Sequence, residues 1–223
     1  MNRNKLLVGV SHDLATIGPL VFFVVATIAG YFRAGYDPIA HPISALALGP
    51  DGWVQTVNFA LLAASLFAFA LVLKRQFPDG VASSAAPTLV AVMTLGVTLA
   101  ALFPMDSIGA STTTMSGRLH LLGGFLVFPL MPVVPLVLAR RFGRDTRWRP
   151  YFRFTLGTGL SCLATIIFFL VFVGPPGTSA RIASGLAGLT QRVQLVPFLA
   201  WIALVSRRAH QVGAGARCRR EPA

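Results

Sequence analysis

The chain has 223 residues, of which 55% are hydrophobic and only 12% charged, with a mean hydropathy of +0.71. A soluble domain carries about 25% charged residues, and here the apolar residues come in long blocks rather than amphipathic stripes, the signature of membrane spans. The net charge of +12 does not point to nucleic acid. The basic residues lie between hydrophobic blocks, with no basic patch interleaved with aromatics in a soluble segment. In those positions they orient a membrane chain and meet anionic headgroups.

In chain order, Met1 to Asp13 is a short basic start in which Ser11 or Asp13 is placed to cap the first helix. Residues 14–32 form the first expected span. It is too long for a signal peptide and lacks a small-x-small cleavage site, so it reads as a retained helix. Tyr31 to Gly52 follows, YFRAGYDPIAHPISALALGPDG, which its three prolines and three glycines prevent from being one helix. The second span is 53–73, with Trp53 at the interface, and KRQFPDGVASS (74–84) is a turn. The third span, 85–103, stops at Pro104 and opens a polar loop, MDSIGASTTTMSGR (105–118).

The fourth span, 119–138, holds Pro129, Pro132 and Pro135 and is expected to kink. A basic connection (139–153) leads to the fifth span, 154–173. A loop with the Pro175-Pro176-Gly177 break then leads to the sixth span, 186–205, which carries Gln191, Arg192 and Gln194 in its first half. Residues 206–223 read as a basic, disordered tail. The fold class is therefore all-α: one domain (1–205), a bundle of six transmembrane helices. No self-similar halves of the kind seen in some transporters are found.

Orientation follows from a count of basic residues. Fifteen of the 19 Lys and Arg fall in the two terminal segments and the second and fourth connections, against Arg33, Arg118, Arg181 and Arg192 on the other side. The positive-inside rule then predicts a multi-pass protein of the cell (inner) membrane with N- and C-termini cytoplasmic and three polar loops facing outward. Cys162 and Cys218 fall at different depths, so no disulfide is expected.

The unusual polar residues gather at the outward ends of the spans: Arg33, Tyr36, Asp37, His41 and Ser44, then Asp106 and His120, then Gln191 and Arg192. A charge inside a span costs at least roughly 2.5 kcal/mol at the centre and less near the end, so Arg192 requires protein or water around it. It reads either as an anchor for a phosphate or carboxylate headgroup or as half of a structural pair with Asp37 or Asp106. Asp37, His41, Asp106 and His120 are the candidate acid–base groups. Imidazole and carboxylate also suit zinc or iron, but no HExxH, HxxxH or CxxC spacing is present, and no metal site is expected. Ser44 lacks a GxSxG elbow, so its expected role is to satisfy backbone groups next to Pro42. Pro42 to Leu48 reads as a short helix with Ile43, Leu46 and Ala47 on one apolar face, either a lid or a simple connection. No cofactor box is seen.

At RAGYDPIAHPISALALG, and again at FPMD, GRLH and QRV in the same order, the sequence resembles the bacterial and archaeal family of integral membrane proteins called Domain of Unknown Function 998. The resemblance implies a six-helix membrane protein whose shared polar positions are Arg33, Tyr36, Asp37, His41, Ser44, Asp106, His120 and Arg192. Ala45 departs from it, since a glutamate is expected after the serine. The family name supplies no reaction.

The expected function is an outward-facing polar pocket that binds a lipid-like or small amphipathic ligand, with Arg33, Tyr36, Ser44 and Arg192 as ligand-binding residues and membrane lipids as partners. Two alternatives remain open: a membrane enzyme using His/Asp acid–base or metal chemistry on such a ligand, and a transporter or structural subunit of a membrane complex. The transporter reading needs polar groups that continue to the inner side, where the spans look apolar.

Overall fold

A computed structural model describes residues 3–173 and 185–218. Among these there is no strand. The helices are α1 (Arg3–Phe32), α2 (Gly52–Gln76), α3 (Val81–Leu102), α4 (Met115–Val127), α5 (Leu130–Arg144), α6 (Phe152–Phe168) and α7 (Ala187–Cys218), with short 3-10 turns at Ile43–Ala47 and Arg149–Tyr151 and a π-helical turn at Phe169–Val173. Lipid offers no partner to a backbone amide, so spanning segments must bond internally, and helices do this. Six stretches are long and apolar enough to cross a membrane, with α4 and α5 together making the fourth.

Successive helices pack as neighbours, and α7 closes the bundle against α1, α6 and α2. The two central elements are α2 and α7. In their most apolar windows 61% and 56% of residues are buried, against 28–33% for the other four spans. Phe69 of α2 meets Trp201 of α7 edge-on at 5.5 Å, and the Trp201 indole donates to Thr155 Oγ1 of α6 at 3.1 Å. That contact gives the one polar atom of the ring a partner in an apolar core.

Helix association in lipid relies on close approach of small residues. A Cβ added to Gly96 of α3 would sit 2.6 Å from the Gly123 carbonyl oxygen of α4, and one added to Gly123 would sit 2.5 Å from the Gly96 oxygen. The two backbones therefore touch. The expected kink is a two-residue turn between α4 and α5 at Phe128 and Pro129, both of which keep right-handed helical backbone angles. Pro132 has no N–H to give the Phe128 carbonyl four residues earlier, and that oxygen accepts instead from the Met131 amide and from Gln194 Nε2 of α7, each at 3.3 Å. The Gln194 contact explains a glutamine inside an apolar span.

Three expectations need correction. Ser11 and Asp13 lie inside α1, which already starts at Arg3, and not at its N-terminus. The sixth helix does not stop at Val205, and residues 206–218 are helical rather than disordered. The two helices stay packed together in these extensions, with His12 Nδ1 3.3 Å from the Ser206 carbonyl oxygen and the His12 and His210 rings 5.2 Å apart. The loop expected at 174–185, with Arg181, lies outside the described residues except for its last position.

The bundle has two unlike ends. At the polar end lie the 33–51 loop, the 103–114 loop and the start of α7. At the basic end, Phe142 stacks on Trp148 at 4.6 Å and Phe77 packs 5.2 Å from the same indole. Gly96→Val should lower thermal stability in detergent by about 1–3 kcal/mol, the usual range for overpacking. Gly157→Ala, where an added Cβ meets nothing within 4 Å, should leave the melting temperature unchanged or raised.

Candidate functional site

Between α1 and α2 the chain leaves helical geometry while still close to the membrane, so its carbonyl groups must be satisfied by protein. Two arginines do this. Arg33, just past α1, donates through Nη1 to the carbonyl oxygens of Leu46, at 3.2 Å, and Leu48. Arg192, in the second turn of α7, reaches back across the bundle. Its Nη1 lies 2.7 Å from the Pro38 oxygen, 3.3 Å from the His41 oxygen and 3.1 Å from the Gly188 oxygen, and its Nη2 donates to the Tyr36 hydroxyl at 2.6 Å.

The first turns of α7 complete the grip. The Leu189 amide donates to the Ile39 oxygen at 2.9 Å, and Gln191 Oε1 accepts from the Ile43 amide at 2.6 Å. A Cβ on Gly188 would fall 2.2 Å from the His41 oxygen and 2.5 Å from the Pro38 oxygen. Only glycine lets the loop lie this close to the helix.

Neither Asp37 nor Asp106 forms an ion pair with Arg192 among the described residues. The guanidinium is occupied by backbone carbonyls and a phenol. A fork of N–H donors suits this task, whereas a carboxylate would satisfy only one side of it. Asp37 accepts the Ile39 amide in its own turn, at 2.8 Å, and its backbone amide donates to His41 Nδ1 at 3.1 Å. A neutral His41 therefore carries its hydrogen on Nε2. Tyr36 packs 5.7 Å from the His41 ring, with its hydroxyl 3.1 and 3.2 Å from the His41 and Pro42 carbonyl oxygens. Burial pushes the Tyr36 hydroxyl above its usual range, although Arg192 and Arg33 pull it the other way.

Ser44 is buried and donates to Met105 Sδ at 3.2 Å, not to local backbone as its place next to Pro42 suggests. The 3-10 turn Ile43–Ala47 is buried over its whole length and so is a packed wall rather than a helix lying in the interface. Asp106 and His120 organise the second loop. The Asp106 carboxylate accepts from the Thr114 hydroxyl at 2.6 Å and from its amide, while Thr114 Oγ1 accepts the Gly117 amide at 3.0 Å and caps α4. His120 Nδ1 lies 2.9 Å from the Phe103 carbonyl oxygen, closing the loop at its other side.

Of the eight residues singled out, Arg33, Tyr36 and His41 line a shallow open depression of about 190 Å³, together with Gly35, Ala45, Leu48 and Ile108. Arg192 stands behind its wall through Tyr36, Ser44 ties that wall to the second loop, and Asp106 and His120 hold that loop in shape. The sequence reading missed Gly188, Met105 and Ile108. Gly188 had a signal, three residues before the Gln191-Arg192 pair; the other two are apolar side chains in a polar loop. No group of three or more His, Cys, Asp or Glu side chains placed to hold a metal occurs among the described residues.

Arg192→Lys should not preserve the clamp, because an ammonium cannot present the same fork. A loss of about 1.5–3 kcal/mol is expected, read as faster hydrogen exchange at the His41 and Ile43 amides. Stability that depends on the neutral Tyr36 phenol is present below about pH 10 and lost as pH rises through its elevated folded value. Tyr36→Phe should abolish that alkaline loss of loop protection.

A model of the family described as "Protein of unknown function (DUF998)" matches residues 16–208. No curated protein and no solved structure matches the chain. The family model takes in four spans whole, most of the first and sixth, and both arginine clamps, and the chain belongs to the DUF998 family.

Proposed function

We propose that this integral membrane protein binds the headgroup of a lipid-like or small amphipathic ligand at its polar end. The observation that carries this reading is the depression beside His41. Its volume of about 190 Å³ is below the roughly 300–1,000 Å³ of sites that enclose a whole drug-sized ligand. It has room for a headgroup, while the apolar part stays in the membrane. Tyr31 and Phe32, which lead directly into Arg33, are 84% and 80% exposed and offer apolar surface for such a tail. His41 Nε2, which makes no hydrogen bond among the described residues, and the unused nitrogens of Arg33 are the donors for the headgroup.

Arg192 contributes here by fixing Tyr36 and the loop backbone, not by touching the ligand. Binding is favoured over acid–base catalysis because neither imidazole is hydrogen-bonded to a carboxylate. His41 Nδ1 takes a backbone amide and His120 Nδ1 faces a backbone carbonyl. The distribution of basic residues supports placement in the cell membrane with the polar end outward and both termini cytoplasmic.

Ile108→Trp tests the reading by filling the depression without touching either arginine clamp. Lipid extracted from the purified wild type should hold one amphipathic species enriched roughly tenfold over the host membrane, an excess equivalent to about 1.4 kcal/mol, and the variant should lose it. Equal, bulk-like composition in both would sink the proposal.

A further inference from the structure

The basic end of the bundle carries an unmet demand for an acceptor. Six buried side-chain nitrogen or oxygen atoms lack a hydrogen-bond partner among the described residues, and four of them belong to this end: Arg141 Nε, Trp148 Nε1, Ser206 Oγ and Arg208 Nε. The three nitrogens belong to one aromatic cluster, centred on Trp148 and flanked by the two guanidiniums. The Arg141 guanidinium lies 6.0 Å from the centre of the Phe77 ring, which packs 5.2 Å from Trp148. The Arg208 guanidinium lies 5.8 Å from the Tyr151 ring, which is 6.2 Å from Trp148, and its Nη2 donates to the Arg147 carbonyl oxygen one residue before the tryptophan.

All three nitrogens are donors only, so no exchange among themselves can satisfy them. Buried donors are almost always partnered in folded proteins, and leaving one unpaired costs about 1–3 kcal/mol. A water could accept from them, but it would leave the charge of two half-buried guanidiniums uncompensated. Nearby carboxylates do not help. Asp145 is held by Arg147, with Nε–Oδ1 at 3.1 Å and Nη2–Oδ2 at 2.8 Å, an attachment that keeps the Asp145 carboxyl below its usual range. Asp13 and Asp79 are exposed and form no ion pair here.

We infer that Arg141, Arg208 and Trp148 form a site for the phosphate of an anionic membrane lipid. Phosphate is an acceptor-only group with several oxygens, matched to guanidinium donors in number and in charge. A lipid is favoured over a soluble anion by the position of the site. Arg141 lies in the last turns of α5, and Trp148 and Tyr151 stand at the start of the fifth span, an end of a span being where indole and phenol rings are enriched. The exposed Arg140, Arg144, Arg149, Arg153 and Arg207 have no ion-pair partner among the described residues and add diffuse attraction to an anionic surface.

The site is at the opposite end of the bundle from the depression at His41, so either proposal can fail alone. The test uses the full chain in nanodiscs of mixed phosphatidylglycerol and phosphatidylcholine, with retained lipid counted by native mass spectrometry. Wild type should prefer phosphatidylglycerol roughly tenfold. The double variant Arg141→Gln/Arg208→Gln should fall to near parity, while Arg140→Gln/Arg149→Gln, which removes the same charge from the exposed set, should keep most of the preference. No preference in wild type, or an equal fall in both variants, would overturn the site. Should the first variant fail to fold, melting of the wild type decides. Dihexanoyl phosphatidylglycerol should raise the melting temperature, whereas dihexanoyl phosphatidylcholine and inorganic phosphate at equal ionic strength should not. An equal rise with phosphate, or none with the glycerol lipid, refutes the lipid assignment.

Discussion

The polar end of this protein depends on one requirement: backbone carbonyl groups outside a helix, close to lipid, must find donors within the protein. Residues 36–48 expose such groups, and two guanidiniums, one from each side, answer four of them, at Pro38, His41, Leu46 and Leu48. Arg33 stands directly after the helix that precedes the loop, and Arg192 lies in a helix about 150 residues later. Because Arg192 also holds the Tyr36 hydroxyl, the loop, the depression beside it and the start of α7 form one hydrogen-bonded unit. Removing any one partner leaves buried polar groups on the others, which is why the unit resists piecemeal change.

The same rule governs the interior of the bundle. The Phe128 carbonyl, deprived of its helical donor by Pro132, is met by the Met131 amide and by Gln194, and the Trp201 indole is met by Thr155. Elsewhere the helices are held by shape, with the contact between Gly96 and Gly123 bringing two backbones together. Apolar side chains face both inward and outward, since lipid gives them little reason to prefer the core. Val10, Ile17, Leu20, Val24 and Ile28 all lie exposed along α1.

Much of this was legible in the sequence, and the rest was not, for identifiable reasons. Span number and loop position follow from block hydropathy, which does not depend on partners. The short turn after Pro42 and the turn at Pro129 follow from proline geometry. The role of Arg192 was harder to read. A sequence shows charges but not carbonyl oxygens: Asp37 and Asp106 are its candidate counter-charges, while its partners in the fold are three backbone carbonyls, which any residue could supply, and the Tyr36 hydroxyl. Ser44 was misread for a similar reason, because its acceptor is the sulfur of Met105, sixty-one positions away. The ends of α1 and α7 were misplaced because composition alone made 206–223 look like a solvated tail. The contact between His12 and the Ser206 backbone, which ties the two helices together, is invisible without the fold.

The continuity of α7 sets a condition on how this chain can vary. Gln191 and Arg192 serve the loop, Gln194 serves the turn in the fourth span, Trp201 serves the core, and Arg208 stands at the aromatic cluster, all on one unbroken helix. Each residue turns the helix by about 100° and advances it about 1.5 Å. A single inserted or deleted residue between 193 and 207 would therefore swing one set of anchors nearly a third of a turn away from the other. The helix behaves like a key whose teeth were cut together: its side chains can be exchanged one at a time, but its length between Arg192 and Arg208 cannot drift.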